Sequence, residues 1–238
     1  QLRDNPFSIH FVPHKDEAGF FQKWDHTLHQ PETFQLARDL RAMAKSYSPE
    51  KMLIGEVFGN HETIKKYLGG HQDSLNLVFL WDLLQVKPKA GFFREIIQRY
   101  EEEFPPPYSP VYVFGNHDQK RLISKLGGEP RMAKLLALLQ FTLRGVSVSY
   151  YGEEIGMSEG KTSIRQVKDP LGQRYQWVPP FLVEALNLYL NRDGCRTPMQ
   201  WDDSPQAGFC SAETDPWMPV NENFSRVNVA QQREDKRS

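Results

Sequence analysis

The feature that most constrains this chain is an alternation of amphipathic stretches and short apolar runs. After an irregular first thirty residues, Pro31 opens a stretch in which Leu36, Leu40, Met43, Ala44 and Tyr47 recur at spacings of three and four. Pro at an early position and that period predict a helix, ended by Ser48-Pro49. Met52 to Gly55 then reads as a buried strand, His61 to Tyr67 as a short helix, and Leu75 to Leu80 as a second strand. Ala90 to Phe104 is expected to be helical, with Phe93, Ile96, Ile97 and Tyr100 on one side, and Pro105-Pro106-Pro107 breaks it. Val111 to Phe114 is a third strand, Pro130 to Arg144 a third long helix around Leu135, Leu138 and Leu139, and Val146 to Tyr150 a fourth strand. Strands alternating with helices of this length argue for parallel βα units.

Beyond Tyr151 the character changes. Residues 158 to 226 are rich in Pro, Gly, Asp and Trp, with one apolar helix expected around Phe181 to Leu190. A stretch of that kind in a compact protein is a functional excursion or disorder, and its aromatics favour an ordered, substrate-facing loop. The polar tail Gln231 to Ser238 reads as the start of a helix or a frayed end. The domain organisation is thus 1–157, βα units, followed by 158–238, the loop region and the beginning of a last helix.

Composition narrows the function. With 29 basic and 30 acidic residues among 238 there is no charge excess to attract nucleic acid or an anionic membrane, and no apolar run approaches the roughly 18 residues of a membrane helix. Only Cys195 and Cys210 are present, which points to a reducing compartment and a cytoplasmic location.

Two strand ends carry chemistry. Leu53-Ile54-Gly55-Glu56 sets a carboxylate just after one strand, and Phe114-Gly115-Asn116-His117-Asp118 sets a His-Asp pair just after another. In a (β/α)8 barrel the C-terminal strand ends form the active site, so these two positions, two βα units apart, can serve one pocket. A lone acid after a strand is ordinarily a loop residue or a cap; two in equivalent places are not. His10 and His14 have metal-like spacing, but Pro13 stands between them and no third ligand is evident.

The motifs Ile54-Gly55-Glu56-Val57 and Phe114-Gly115-Asn116-His117-Asp118-Gln119 resemble signature regions of the α-amylase superfamily, glycoside hydrolase family 13, and within it the oligo-1,6-glucosidase and α-glucosidase group. Leu2 to Pro6, Gln30-Pro31-Glu32, Tyr151 to Met157, Arg192 to Trp201 and Pro216 to Asn221 extend the likeness over nearly the whole chain.

The resemblance implies a retaining mechanism acting on an oligosaccharide or α-glucoside; no cofactor is expected, and no metal ligands are singled out. Glu56 would be the general acid and then base, Asp118 would stabilise the oxocarbenium-like transition state, and His117 and Arg196 would bind the sugar. Acid catalysis by Glu56 calls for a partly desolvated carboxyl. A retaining site also needs a nucleophilic carboxylate roughly 5 Å from the acid. The family's glycine–phenylalanine–arginine–x–aspartate motif for it is absent here, and Asp4 falls in the wrong place to replace it.

The expected fold is therefore α/β, a partial (β/α)8 TIM barrel holding about the last four βα units, with a long excursion after the last strand. Half a barrel leaves open strand edges and exposed apolar faces, which predicts self-association or a complementary N-terminal half. The chain reads as a portion of a longer α-glucosidase and is expected to be inactive alone. A transglycosylase or sucrose isomerase, or a non-catalytic glucosidase-like interaction domain, are the alternatives.

Overall fold

In a computed structural model, the structure describes residues 4–10, 18–19, 21–70, 73–162, 167–185 and 188–238. The chain divides into two compact units, residues 1–79 with 106–108, and residues 80–105 with 109–238.

In the first unit β1 (Ala18–Gly19) and β2 (Gln22–Lys23) form a small antiparallel pair. The long helix α1 (Pro31–Lys45) follows, with Pro31 in its first turn where a missing N–H costs nothing. Next come β3 (Ile54–Gly55), α2 (His61–Leu68) and β4 (Leu77–Val78), a βαβ unit whose strands pair in parallel, Ile54 with Leu77 and Gly55 with Val78. Asn60 caps α2 by accepting the Thr63 N–H at 2.9 Å. Asn76 fixes the entry to β3, its Oδ1 accepting the Leu53 N–H at 2.8 Å.

The helix α1 corrects one expectation. Leu36, Leu40, Met43 and Tyr47 are 43–59% exposed, while Ala37, Arg41 and Ala44 form the buried face. The small alanines allow close approach, and Arg41 is retained inside because it reaches Glu50 at 2.6 Å and the Lys51 carbonyl. The apolar period is helical, but of the residues that carry it only Ala44 is buried.

In the second unit α3 (Ala90–Glu103), β5 (Val111–Val113), α4 (Leu122–Lys125), α5 (Pro130–Thr142) and β6 (Val146–Val148) build a parallel layer in which β5 pairs with β6 and Tyr112 also bridges to Leu80. The core gathers on β5. Val111, Tyr112, Val113 and Phe114 are all buried, and the Tyr112 ring lies 5.6 Å from that of Tyr100 on α3. The Tyr100 hydroxyl donates to Asp82 at 2.9 Å, and burial drives its pKa well above the ordinary tyrosine value. On α5, Leu136 and Gln140 face inward, whereas Leu135 and Leu138 are exposed and Leu139 is only part-buried, again rotating the expected face. Gln140 is buried because its amide donates at 2.9 Å to both the Tyr112 and Val148 carbonyls, tying β5 to β6.

Strands are shorter than expected, two or three residues each. Among the described residues the excursion holds α6 (Pro170–Tyr175), α7 (Pro180–Ala185), 3-10 turns at Asp193–Arg196 and Pro205–Gly208, and α8 (Val229–Glu234). Of the helix expected around Phe181 to Leu190, the described part is α7 up to Ala185; residues 186–187 lie outside the described residues, and 188–190 are not helical. The expected tail helix is present in α8, starting at Val229 under an Asn228 cap.

Candidate active site

In the first unit, Gly55 and Glu56 follow directly from β3. A side chain at Gly55 would stand 2.4 Å from Leu75 Cδ1, so a glycine is needed for Leu75 to pack beside the strand end. Glu56 is exposed within this unit, which by itself supplies none of the desolvation expected for an acid catalyst.

In the second unit, the strand β5 delivers Phe114 to Asp118. Gly115 is again a close approach: a Cβ there would meet Glu153 Oε1 at 2.3 Å. Asn116 then folds the chain into a tight turn, its Oδ1 accepting the Asp118 N–H at 3.0 Å. That turn sets His117 and Asp118 at the C-terminal end of the strand, where an α/β barrel keeps its chemistry.

Asp118 is gripped by arginines from the excursion. Its Oδ1 accepts from Arg192 Nη1 at 2.6 Å and Arg196 Nη2 at 2.8 Å, and His117 Nε2 lies 3.6 Å away. Arg196 Nε also donates to the His117 carbonyl at 2.8 Å. Among the described residues no hydrogen bond falls on Asp118 Oδ2, and the side chain is 36% exposed. Two cations neutralise the carboxylate from one side and leave one oxygen for a ligand hydroxyl. Of the four residues singled out in the sequence, the structure brings His117, Asp118 and Arg196 together; Glu56 belongs to the first unit.

Arg192 and Asp169 were missed by sequence reasoning. The Asp169 side chain is fully buried and takes three bonds from Arg192: Nε and the backbone N on Oδ2 at 2.8 and 2.9 Å, and Nη2 on Oδ1 at 2.7 Å. Burial pushes the Asp169 pKa up, but the Arg192 hydrogen bonds and charge outweigh it and hold the carboxyl down at about 2. Arg192 is driven the other way, above the ordinary guanidinium value, chiefly by its hydrogen bonds to Asp169. The available signals were the Asp-Pro pair at 169–170, which caps α6, and Arg192 at the head of the Arg192 to Trp201 stretch that carries part of the family likeness.

The excursion is fastened to the strand ends by further polar ties. Glu159 accepts from the Arg121 N–H at 3.0 Å and the Tyr189 hydroxyl at 2.6 Å. Arg121 is buried with its guanidinium 5.3 and 4.8 Å from the rings of Tyr150 and Tyr151. The hydroxyls of those tyrosines donate to the carbonyls of Cys195 and Thr197 at 3.2 and 2.7 Å. Cys195 and Cys210 are both free thiols. Among the described residues no three His, Cys, Asp or Glu side chains are placed to hold a metal ion, and His14 lies outside them. No described helix is long and apolar enough to cross a membrane.

Asp118 is thus a half-exposed carboxylate held by two arginines at the end of a strand paired in parallel. The family model "Alpha amylase, catalytic domain" matches residues 9–238, and the chain belongs to that family, whose catalytic domain is a TIM barrel. An α-glucosidase of Apis mellifera is 34% identical over 214 residues, covering 87% of this chain and 35% of the relative. The α-glucosyl transfer enzyme XgtA superposes with a TM-score of 0.77 at 28% identity, covering all of this chain and 43% of that one. The isomaltulose synthase SmuA of Protaminobacter rubrum gives 0.74 at 26% identity, covering 87% and 41%. The chain thus spans between a third and a half of the length of these relatives.

Proposed function

We propose that this chain carries part of the catalytic apparatus of a retaining α-glucosidase that releases terminal α-linked glucose from short oligosaccharides. Its strands are read as the last four βα units of the barrel. The observation that carries the reading is the Asp118 carboxylate, pinned on one oxygen by Arg192 and Arg196 and open on the other, in a chain of the α-amylase family.

In the proposed mechanism the open oxygen of Asp118 accepts hydroxyl hydrogens of the glucosyl ring, and the bonds shorten as the ring flattens toward the oxocarbenium ion. The negative charge of Asp118 opposes the growing positive charge of the ring. Arg192 and Arg196 hold that carboxylate in place, so no reorganisation is needed as charge develops. Glu56 delivers its proton to the glycosidic oxygen, then takes one from the water that releases glucose. The retaining route also needs a nucleophilic carboxylate, and the chain contains no glycine–phenylalanine–arginine–x–aspartate motif to supply it. Hydrolysis therefore requires a nucleophile from outside these 238 residues, and the chain by itself is inactive. Its substrate is a neutral glucoside, matching a net charge of -1. We place the protein in the cytoplasm, in keeping with its free cysteines.

The test is turnover of p-nitrophenyl α-glucoside. The chain alone is expected to give none; turnover abolished by Glu56→Gln would overturn the inactivity and keep the assignment of Glu56. A second reading, a transglucosylase or sucrose isomerase, is favoured by the likeness to XgtA and SmuA. Product analysis on sucrose with the complete catalytic apparatus separates them: glucose and fructose for the hydrolase, a rearranged disaccharide for the isomerase.

A further inference from the structure

The loop between β6 and the Arg192–Trp201 run holds a buried acid that no step above uses. We infer that Asp169 is a positioning residue: its carboxylate fixes the plane of Arg192, and Arg192 in turn fixes Asp118. The inference rests on the reading of Asp118 as a sugar-binding carboxylate.

The geometry is that of a planar fork engaged at both ends. Arg192 Nε and Nη2 meet Asp169 Oδ2 and Oδ1 at 2.8 and 2.7 Å, a bidentate pair that defines the guanidinium plane. With two nitrogens held, the third has one direction left, and it meets Asp118 Oδ1 at 2.6 Å. Asp169 cannot swing to follow a displaced arginine. Its own N–H donates to Asp193 Oδ1 at 2.9 Å, the neighbouring Lys168 N–H donates to Asp193 Oδ2 at 2.7 Å, and its Oδ1 accepts the Leu171 N–H at 3.2 Å. Residues 168–171 and 192–193 are thus fastened to each other by reciprocal carboxylate bonds.

Charge supports the same role. Asp118 and Asp169 carry two negative charges against the two positive charges of Arg192 and Arg196, whose Nη1 lies 3.9 Å from Asp169. Without Asp169, the cluster gains an uncompensated cation in a mostly enclosed place, and the arginine has no reason to stay in its plane. A bond made only to hold the loop would need Arg192 and Asp169 alone; the third contact is what couples it to the site.

The experiment is a double-mutant cycle on maltose binding by the full chain, followed by calorimetry. Asp169→Asn and Arg192→Ala are each expected to weaken maltose binding about tenfold, the scale of outer-sphere partners, and Asp169→Asn in the Arg192→Ala background is expected to add nothing. Equal weakening in both backgrounds would mean that Asp169 acts on folding alone, and the inference falls. Loss with Arg192→Ala but not with Asp169→Asn overturns the inference and leaves the sugar site standing. Maltose binding that neither Arg192→Ala nor Asp118→Asn alters overturns the sugar-site reading itself. Should Asp169→Asn fail to fold, the wild-type chain still decides: the Arg192 Nε–H must exchange with solvent far more slowly than that of exposed arginines, and equal rates would refute the fixed plane.

Discussion

Arg192 donates to Asp169 through the Nε and Nη2 edge of its guanidinium while its remaining terminal nitrogen, Nη1, lies 2.6 Å from Asp118. The pairing has a consequence for acid stability. The folded Asp169 carboxyl titrates at about 2, below the ordinary aspartate value of 3.8. A depressed carboxyl stabilises the fold above its unfolded pKa, and that stability is lost as pH falls through the folded one. Denaturant unfolding should therefore lose about 2 kcal/mol between pH 5 and pH 2 from this residue. Asp169→Asn should cost roughly 3 kcal/mol at pH 7 and flatten that acid limb. An unchanged limb in the variant would place the acid sensitivity elsewhere.

Gln140 offers a test of the strand pair. Its one amide nitrogen satisfies two carbonyls, the buried one of Tyr112 and the part-buried one of Val148. Gln140→Leu keeps the volume but strands both acceptors, and should destabilise the second unit by about 2–3 kcal/mol. Hydrogen exchange at β5 and β6 would show the loss locally; a cost under half a kcal/mol would mean that water reaches those carbonyls.

The rotated face of α1 makes opposite predictions for its two sides. Leu40→Glu and Met43→Lys fall on exposed positions and should shift stability by under about 0.5 kcal/mol, while reducing light scattering at high protein concentration. Ala37→Leu and Ala44→Leu fall on the buried side and should cost about 1–3 kcal/mol through overpacking. Thermal melts of the four variants separate the faces.

Glu153 is part-buried beside Gly115, and desolvation raises its pKa above the ordinary glutamate value. A raised carboxyl gives stability that is complete below the unfolded pKa and lost as pH rises through the folded one. Glu153→Gln should therefore match the wild type near pH 4 and exceed it at pH 7, as read by melting temperature. Gly115→Ala should lower stability by about 1 kcal/mol through the clash with Oε1, and Glu153→Ala should suppress that cost.

Much of this was legible beforehand because it depends on neighbours in sequence. Helix starts at Pro31 and Pro130, a helix end before Pro105-Pro106-Pro107, and glycines ahead of Glu56 and Asn116 are local signals, and the structure uses all of them. Strand length was overestimated at Met52 to Gly55 and Val146 to Tyr150, since pairing partners, not apolar content, decide where a ladder stops. The excursion after Tyr151 gave the least away. Its order comes from polar ties such as Glu159 to Tyr189 and Tyr151 to Thr197, which join residues 30 to 46 positions apart.

Sequence alone determined the alternating βα pattern, the family likeness, and the strand ends that carry Glu56, His117 and Asp118, because local periodicity and short motifs encode these. Tertiary structure decided which face of α1 and α5 turns inward, and that Asp118 is governed by Arg192 and Asp169. The reason is physical: a buried face is chosen by what packs against it, and a carboxylate is held by the partners brought near it in space, here from 74 and 78 residues away along the chain.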